Sequence, residues 1–559
     1  MLQEISFQFG SSPGAAPLEL NLGRIGVFVG PNNSGKSLLL RELMQAIRQG
    51  GPQQSANILH SLVVPQFSEQ EAIRLVEGRT DAAQTARLQP GQVHLCSYDP
   101  VSGEHSAHNI QRDQALHFLT DPNPERRQHA LTHILSHYAM ALDGSTRLRI
   151  LDTRSAEGEL QRPTHVLGRL FANDALRARV RNIGFRAFGK YLVIDPTSMA
   201  RLEARLADRA PLDELEEQAL DARARGFHSS ALPLASASDG VKAYLGMIAA
   251  SYCTDHRLVL IDEPEAFLHP PLARELGREL AQSGAQANGT TLVATHSAHF
   301  LMGCVESGAA LDIVRLTYDG TVGTARVLRA PDLSDLMRDP LLRSTGMLSA
   351  LFHASAVVCE GNLNRAAYEE INRRLEEAGI RACKDAIFLS AHGKDALHRI
   401  VSPLRKLGIP AAAIADLDIV QEGSLGELLK ACGMPEGVWQ SKRDVASRVA
   451  EACRRHGVTL KQVGVEGAPL EARDALRVLV RELRQWGLFL VPVGELEHWL
   501  PSLEITSRTK RGWLYGLFDM LGGDPASGSY VRPAQDDVWA FIGDLATWVA
   551  DQARAGMPA

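Results

Sequence analysis

The chain has 559 residues, 45% of them apolar and 22% charged, enough for two to four domains each with its own core. A formal net charge of -6 excludes a globally basic nucleic-acid binder, so any nucleic acid must be held by local patches or through metal ions. Seven cysteines stand scattered without a C-x-x-C pair, which argues against a disulfide framework or a zinc site and for a reducing cytoplasm. The first ten residues lack the basic-then-apolar pattern of a signal peptide, and no run is long and apolar enough to span a bilayer, so no membrane role is expected.

Residues 24–29 read as a short apolar strand and 37–49 as a helix, with Leu38, Leu39, Leu40, Leu43 and Ile47 on one broad face. Gly50, Gly51 and Pro52 stop that helix. Between strand and helix lies Gly30-Pro31-Asn32-Asn33-Ser34-Gly35-Lys36-Ser37, which fits G-x-x-x-x-G-K-S. In that context the glycines let backbone N–H groups wrap phosphates, Lys36 reaches the terminal phosphates and Ser37 binds magnesium.

From 53 to 234 the patterns are weaker: the rest of an ATPase lobe plus an inserted, partly helical arm, with helices expected over 198–207 and 212–225. Arg177, Arg179, Arg181, Arg186 and Lys190 form either a solvated helix face or a phosphate-contacting surface. Signals return at Ser236-Ala237-Ser238-Asp239-Gly240, then the apolar strand 257–261 ends in Asp262-Glu263. Asp262 is placed to hold magnesium and Glu263 to polarise the attacking water. Strand 290–294 leads to Thr295-His296-Ser297.

After a connecting stretch at 330–340, strands at 356–360, 386–390, 411–416 and 488–493 alternate with helices, which argues for a parallel sheet. Glu360 closes the first of these strands, Asp416-x-Asp418 the third, and Glu495-x-Glu497 follows the last. Residues two apart on an extended chain share a side, and magnesium or manganese favours such oxygen ligands. Glu495 and Glu497 are therefore candidate ligands of a second ion, and Lys510 could neutralise charge developing on a phosphate. An exposed helix start and a plain basic cluster (Arg508, Thr509, Lys510, Arg511) are the competing readings. In proteins that this stretch resembles, the loop Ser390 to Asp395 lies near the site, which implies that Lys394 or His392 touches phosphate; a helix cap by Ser390 is the competing reading.

The string from Leu258 to Glu265 resembles the Walker B motif of ABC-type ATPases, and His296 their switch histidine, which contacts the γ-phosphate. Ser238-Asp239-Gly240 resembles the degraded signature loop of SMC-like and OLD-like heads, which implies that Ser238 and Gly240 cap ATP bound by an opposite subunit and that the protein is a homodimer or higher homo-oligomer. Gln66 is one candidate among many for the glutamine of that class. Glu360-Gly361 followed by Asp416-x-Asp418 resembles the TOPRIM domain, and its order behind the ATPase resembles the OLD family (overcoming lysogenization defect), including Gabija-like nucleases of phage defence. That resemblance implies an α/β chain: an ABC-type ATPase head over 1–349 with an arm at 53–234, then a parallel-sheet TOPRIM domain with a C-terminal extension over 350–559. It implies ATP and Mg2+ or Mn2+ as cofactors, DNA or RNA as substrate, and a partner or phage trigger protein. Asn364 stands where the family pattern often has a second acid, which leaves open an SMC-like sensor with an inert TOPRIM fold.

Overall fold

Short runs of valine, isoleucine, leucine and alanine become strands covered on both faces, while periodic apolar stripes become the helices that cover them. The structure, a computed structural model, describes the chain except residues 100–104, 157–162, 254, 287–288, 330, 332, 334–337, 339–345, 508 and 558–559. Most of the 330–340 connecting stretch, and Arg508, therefore lie outside the described residues. The chain divides into two units, Met1–Ser334 and Asp335–Ala559.

The first unit is built on a six-stranded sheet in the order Gly323–Arg329, Asp312–Tyr318, Ile25–Val29, Thr290–Ala294, Leu258–Asp262, Ala139–Leu142. All neighbours run parallel except the terminal hairpin. The strand leading to the glycine loop is buried along its whole length, as a central parallel strand must be. The strand ending at Ala294 lies between it and the one ending at Asp262, so three loops with candidate chemistry emerge side by side at one sheet edge. Helix Lys36–Gln49 turns Leu39, Leu40, Leu43 and Ile47 inward, and Gly50 ends it in the left-handed region (φ 86°). Those side chains share a core with Phe28, Leu260 and Leu292, and with Ile5, Phe7 and Leu62 of an antiparallel sheet. Each such full burial contributes about 1.5–3 kcal/mol.

The 53–234 stretch, expected as the rest of an ATPase lobe plus a partly helical arm, mixes helices with strands. It holds a hairpin, Gln92–Tyr98 with His105–Gln111, and an antiparallel sheet centred on Arg201–Ala207. The strand Ala139–Leu142, inside the same stretch, is an edge of the main sheet. The expected helix at 198–207 is a strand: its residues alternate between exposed and buried, with Leu202, Ala204 and Leu206 inward. The stretch 212–225 is two short helices, Glu214–Gln218 and Ala222–Ser229, each started by an aspartate cap. The basic run is spent internally: Arg177 bonds Glu217 at 2.9 Å, Arg186 bonds Glu279 at 2.6 Å, Arg179 reaches Gln286 at 3.2 Å, Arg181 pairs with Glu217 and Lys190 with Asp208.

The second unit holds a four-stranded, fully parallel sheet in the order Ala386–Ser390, Ser355–Cys359, Ala411–Ala415, Leu488–Leu490. The two strands that precede Glu360 and Asp416 are direct neighbours, and both are buried throughout. Helix Asn362–Glu377 and the C-terminal helices Lys510–Leu521 and Asp537–Ala550 share a core of Tyr368, Phe489, Trp499, Trp513, Phe541 and Trp548.

Candidate nucleotide and carboxylate sites

The glycine loop is shaped by positions where only glycine fits. A Cβ on Gly30 (φ 147°) would lie 2.0 Å from the Leu316 carbonyl oxygen, and one on Gly35 (φ 91°) 2.3 Å from Ile58 Cδ1. Asn33 occupies the left-handed region (φ 60°), which asparagine tolerates. Asn32 and Asn33 are exposed, whereas Ser34 and Lys36 are buried. The Lys36 ammonium donates to Gly30 O at 2.8 Å, Pro31 O at 2.7 Å and Ser34 Oγ at 3.1 Å. Burial pushes its pKa down to about 8, against the pull of Glu263, Glu265 and Asp262.

Ser37 Oγ donates to Asp262 Oδ1 at 2.8 Å. Glu263 holds a left-handed backbone (φ 50°), which costs on the order of 1 kcal/mol in a residue of this kind. Its N–H donates to Ala294 O at 2.8 Å, and its carboxylate faces His296 Nε2 at 3.3 Å. Burial lowers the His296 pKa, with Lys36 adding to it, and raises that of Asp262.

Two residues complete this corner that the sequence reading did not single out. The buried Arg147 guanidinium donates to the Glu263 carbonyl, and Glu265 Oε1 accepts from the His296 N–H at 2.6 Å. Arg147 follows the edge strand, on the short helix Thr146–Arg149 after an Asp143 turn, and no motif marks it. Ser238 lies exposed just before helix Asp239–Cys253, and a Cβ on Gly240 would lie 2.7 Å from Phe267 O. Gln66, the weak candidate, donates its amide to Thr120 O at 3.0 Å.

In the second unit the Asp416 N–H donates to Glu360 Oε1 at 2.9 Å, so the ends of the two neighbouring strands are tied together. Asp416 is 1% exposed. Burial raises the pKa of Asp416 and of Glu497, and raises Glu360 to about 7, with the Asp416 charge adding to the last. Three ammonium groups reach the cluster. Lys394 bonds Asp418 Oδ2 at 2.9 Å and also pairs with Glu422. Lys461 Nζ lies 3.5 Å from Asp416 Oδ2, 3.9 Å from Asp418 Oδ2 and 3.4 Å from Glu495 Oε2. Lys510 Nζ lies 3.6 Å from Asp416 Oδ2, 3.6 Å from Glu495 Oε2 and 3.9 Å from Glu497 Oε1.

Glu360, Asp416, Asp418, Glu495, Glu497, Lys394 and Lys510 are thus brought together. The expected metal-ligand sets are not formed as such: among the described residues no three acidic, histidine or cysteine side chains stand ready around one ion. The physical reason is that Lys461 and Lys510 lie between Asp416 and Glu495 and neutralise them. The donor set nonetheless fits a hard divalent cation. Both Asp416 oxygens, Asp418 Oδ1 and Glu497 Oε2 are buried without a hydrogen-bond donor, and all are carboxylate oxygens.

Lys461 escaped the sequence reading because it sits on a four-residue helix, Leu460–Val463, far along the chain from the other groups. Its segment is latched on two sides. Gln421 accepts from Leu460 N–H at 2.9 Å and donates to Val458 O at 3.1 Å. Gly494 (φ 106°) lets the strand-end loop pass so close that a Cβ there would lie 2.2 Å from Lys461 O. His392 lies in a strained loop (φ 57°), with its N–H 3.4 Å from Ser390 Oγ, and the next residue's N–H donates to Glu360 O at 2.7 Å. Asn364 is buried in the first turn of helix Asn362–Glu377.

Comparison with known proteins agrees with this division. Residues 157–302, which hold Ser238, Asp262, Glu263 and His296, match an AAA domain model that carries the names of the AbiEii toxin and a type IV toxin–antitoxin system. Residues 351–418, which hold Glu360, Asp416 and Asp418, match the TOPRIM domain of proteins like the overcoming lysogenization defect protein. The chain therefore carries an AAA domain followed by an OLD-like TOPRIM domain, the arrangement that the resemblance to OLD-family ATPase–TOPRIM proteins implies.

Solved structures similar to the chain include SMC heads. One is an SMC head bound to the C-winged helix domain of ScpA (11% identity, 60% of this chain, 99% of that chain, TM-score 0.34). Another is the SMC head domain from Thermotoga maritima (15%, 59%, 99%, TM-score 0.29). A third is the Pyrococcus furiosus head with an extended coiled coil, bound to the C-terminal domain of ScpA (10%, 60%, 98%, TM-score 0.32). No curated protein matches the chain. Among the described residues no helix is long and apolar enough to cross a membrane.

Proposed function

We propose that this chain is an ATP-regulated, divalent-metal-dependent endonuclease that cleaves nucleic-acid phosphodiesters, DNA or RNA, in bacterial anti-phage defence. One observation carries the reading: Glu360, Asp416 and Asp418 meet at the carboxyl ends of neighbouring parallel strands, with Lys394, Lys461 and Lys510 around them. Acids alone would repel a phosphodiester, and lysines alone would only bind it. Together they suit a reaction in which an anionic substrate must be held while water is activated beside it.

In this reading Glu360, Asp416, Asp418, Glu495 and Glu497 hold Mg2+ or Mn2+. A divalent ion there supplies Lewis-acid stabilisation of the reacting phosphate. Lys510 and Lys461 neutralise charge on the phosphate oxygens, and Lys394 orients the Asp418 carboxylate. In the ATPase unit Gly30, Asn32, Asn33, Ser34 and Gly35 wrap the phosphates, while Lys36 exchanges its carbonyl partners for the terminal ones. Ser37 and Asp262 hold the accompanying magnesium, Glu263 takes the proton of the attacking water, and His296 orients it. The exposed Ser238 and the adjacent Gly240 support capping of ATP by a second copy, and so a homodimer or larger homo-oligomer. The defence role, a cytoplasmic setting and a phage or partner trigger rest on the OLD resemblance, with seven scattered cysteines fitting the setting.

The test is incubation of purified protein with plasmid and with RNA pools in Mg2+ or Mn2+. Wild type cleaves; Glu360→Ala and Asp416→Ala do not, and both keep ATPase activity. Unchanged cleavage in both variants overturns the site assignment. A second reading, an SMC-like ATPase sensor with an inert TOPRIM fold, is favoured by Asn364 and by the lysines between Asp416 and Glu495. ATP-dependent nucleic-acid binding without cleavage by wild type would establish it.

A further inference from the structure

Helix Lys510–Leu521 begins at the acid cluster and carries an exposed stripe away from it. Lys510 reaches Asp416, Glu495 and Glu497 from the first turn. Trp513, Leu517 and Leu521 bury one face in the core. The solvent face holds Arg511, then Tyr515 at 61% and Phe518 at 40% exposure. These three stand at i, i+4 and i+7, which places them in one row. The Arg511 guanidinium lies 5.8 Å from the Tyr515 ring centroid, so the row is cationic and aromatic at once.

Tyr515 and Phe518 expose aromatic surface in line beside the acid cluster, and contiguous exposed apolar surface of this kind marks interaction sites. Their chemistry and position point to the ligand. At 1.5 Å per residue, Tyr515 lies about 7.5 Å and Phe518 about 12 Å along the axis from Lys510. The Cα atoms of the two aromatics are about 4.5 Å apart along that axis, so each ring offers its own π-face. Bases inside a duplex have both faces covered by their neighbours. Only a strand whose bases are unpaired and splayed can lay successive π-faces on such a row while its phosphate reaches the lysine at the row's end.

We propose that Arg511, Tyr515 and Phe518 form a stacking platform for an unpaired nucleic-acid strand, and that the TOPRIM site acts on strands held this way. The proposal rests on the nuclease reading of the same site, and it names the substrate class. Tyr515 and Phe518 bind bases, Arg511 fixes the Tyr515 ring and contributes charge, and the helix start delivers the phosphate to the acids.

The experiment measures binding apart from cleavage. Full-length wild type, Tyr515→Ala, Phe518→Ala and Tyr515→Phe are titrated by fluorescence anisotropy against a labelled single-stranded oligonucleotide and its blunt duplex. Calcium replaces magnesium, and each variant's oligomeric state is checked by light scattering. Loss of one stacked base weakens single-strand binding about tenfold in each alanine variant, leaves the weaker duplex binding unchanged, and Tyr515→Phe behaves as wild type. Unchanged single-strand binding in both alanine variants, an equal loss for duplex and strand, or dissociation of the assembly in Tyr515→Ala would overturn it. The last outcome would make the row a contact between copies. Failure of the nuclease reading is read separately: a wild type that binds the strand but cuts nothing in Mg2+ or Mn2+ leaves the platform standing and removes the reaction.

Discussion

Glu360 and Asp416 are joined by a hydrogen bond from a main chain to a side chain: the Asp416 N–H donates to Glu360 Oε1 at 2.9 Å. The two residues end neighbouring parallel strands, and their bond holds the Glu360 carboxylate against the Asp416 main chain. Glu360 therefore serves the fold as well as the site, and the two roles separate by substitution.

Glu360→Gln keeps a carbonyl oxygen to accept the Asp416 N–H, whereas Glu360→Ala removes the acceptor. Both variants are expected to lose cleavage. Only the alanine variant is expected to lose about 1 kcal/mol or more of stability, because a buried N–H is left without a partner. Urea unfolding beside a cleavage assay checks this.

Gly494 holds a backbone at φ 106° that side chains rarely adopt, and a Cβ there would meet Lys461 O at 2.2 Å. Gly494→Ala is expected to cost roughly 2–4 kcal/mol through strain and displaced backbone, and to pull Lys461 off Asp416 and Glu495. Lowered stability together with loss of activity greater than that of Lys461→Met checks the link between the loop and the lysine. Wild-type stability in Gly494→Ala would contradict it.

In the ATPase unit, Glu263→Gln is expected to bind ATP normally and to lose hydrolysis about a hundredfold or more. Arg147→Met removes the guanidinium that holds the Glu263 carbonyl. It is expected to slow hydrolysis with little change in ATP affinity, because the Arg147 guanidinium hydrogen-bonds the turn at Glu263. Steady-state ATPase kinetics and nucleotide binding separate the two effects.

The first unit carries a buried pH response. His137 bonds Ser97 Oγ at 2.9 Å and stacks on His108 with ring nitrogens 3.2 Å apart. Burial, then His108 and Arg79, push its pKa down from 6.5 to about 4. Between those values the unfolded chain takes up the proton first, so stability is full above about pH 6.5 and is lost as pH falls toward 4. Thermal unfolding across that range is expected to show the loss, with a shallower slope in His137→Gln.

The glycine loop, the Asp262-Glu263 strand end and the strand-end acids at 360, 416 and 418 are legible in the sequence because each depends on a local pattern. Glycine is needed where the chain turns against a backbone, and apolar runs announce buried parallel strands. The stretch 201–207 misleads because arginine, glutamate, leucine and alanine all favour helices, while its true signal is a two-residue alternation that only packing against Tyr191–Asp195 enforces. Lys461 and Arg147 leave no local trace: one rides a four-residue turn and the other follows an edge strand, and each gains meaning from partners distant in the chain.

The central claim is that the acids at Glu360, Asp416 and Asp418 cut nucleic acid. The most direct measurement is sequencing of nucleic-acid ends in cells that express wild type or Asp416→Ala, sampled after the protein is triggered. The account predicts a class of new ends present with wild type and missing with Asp416→Ala. The same ends in both, or no new ends with wild type, would contradict it.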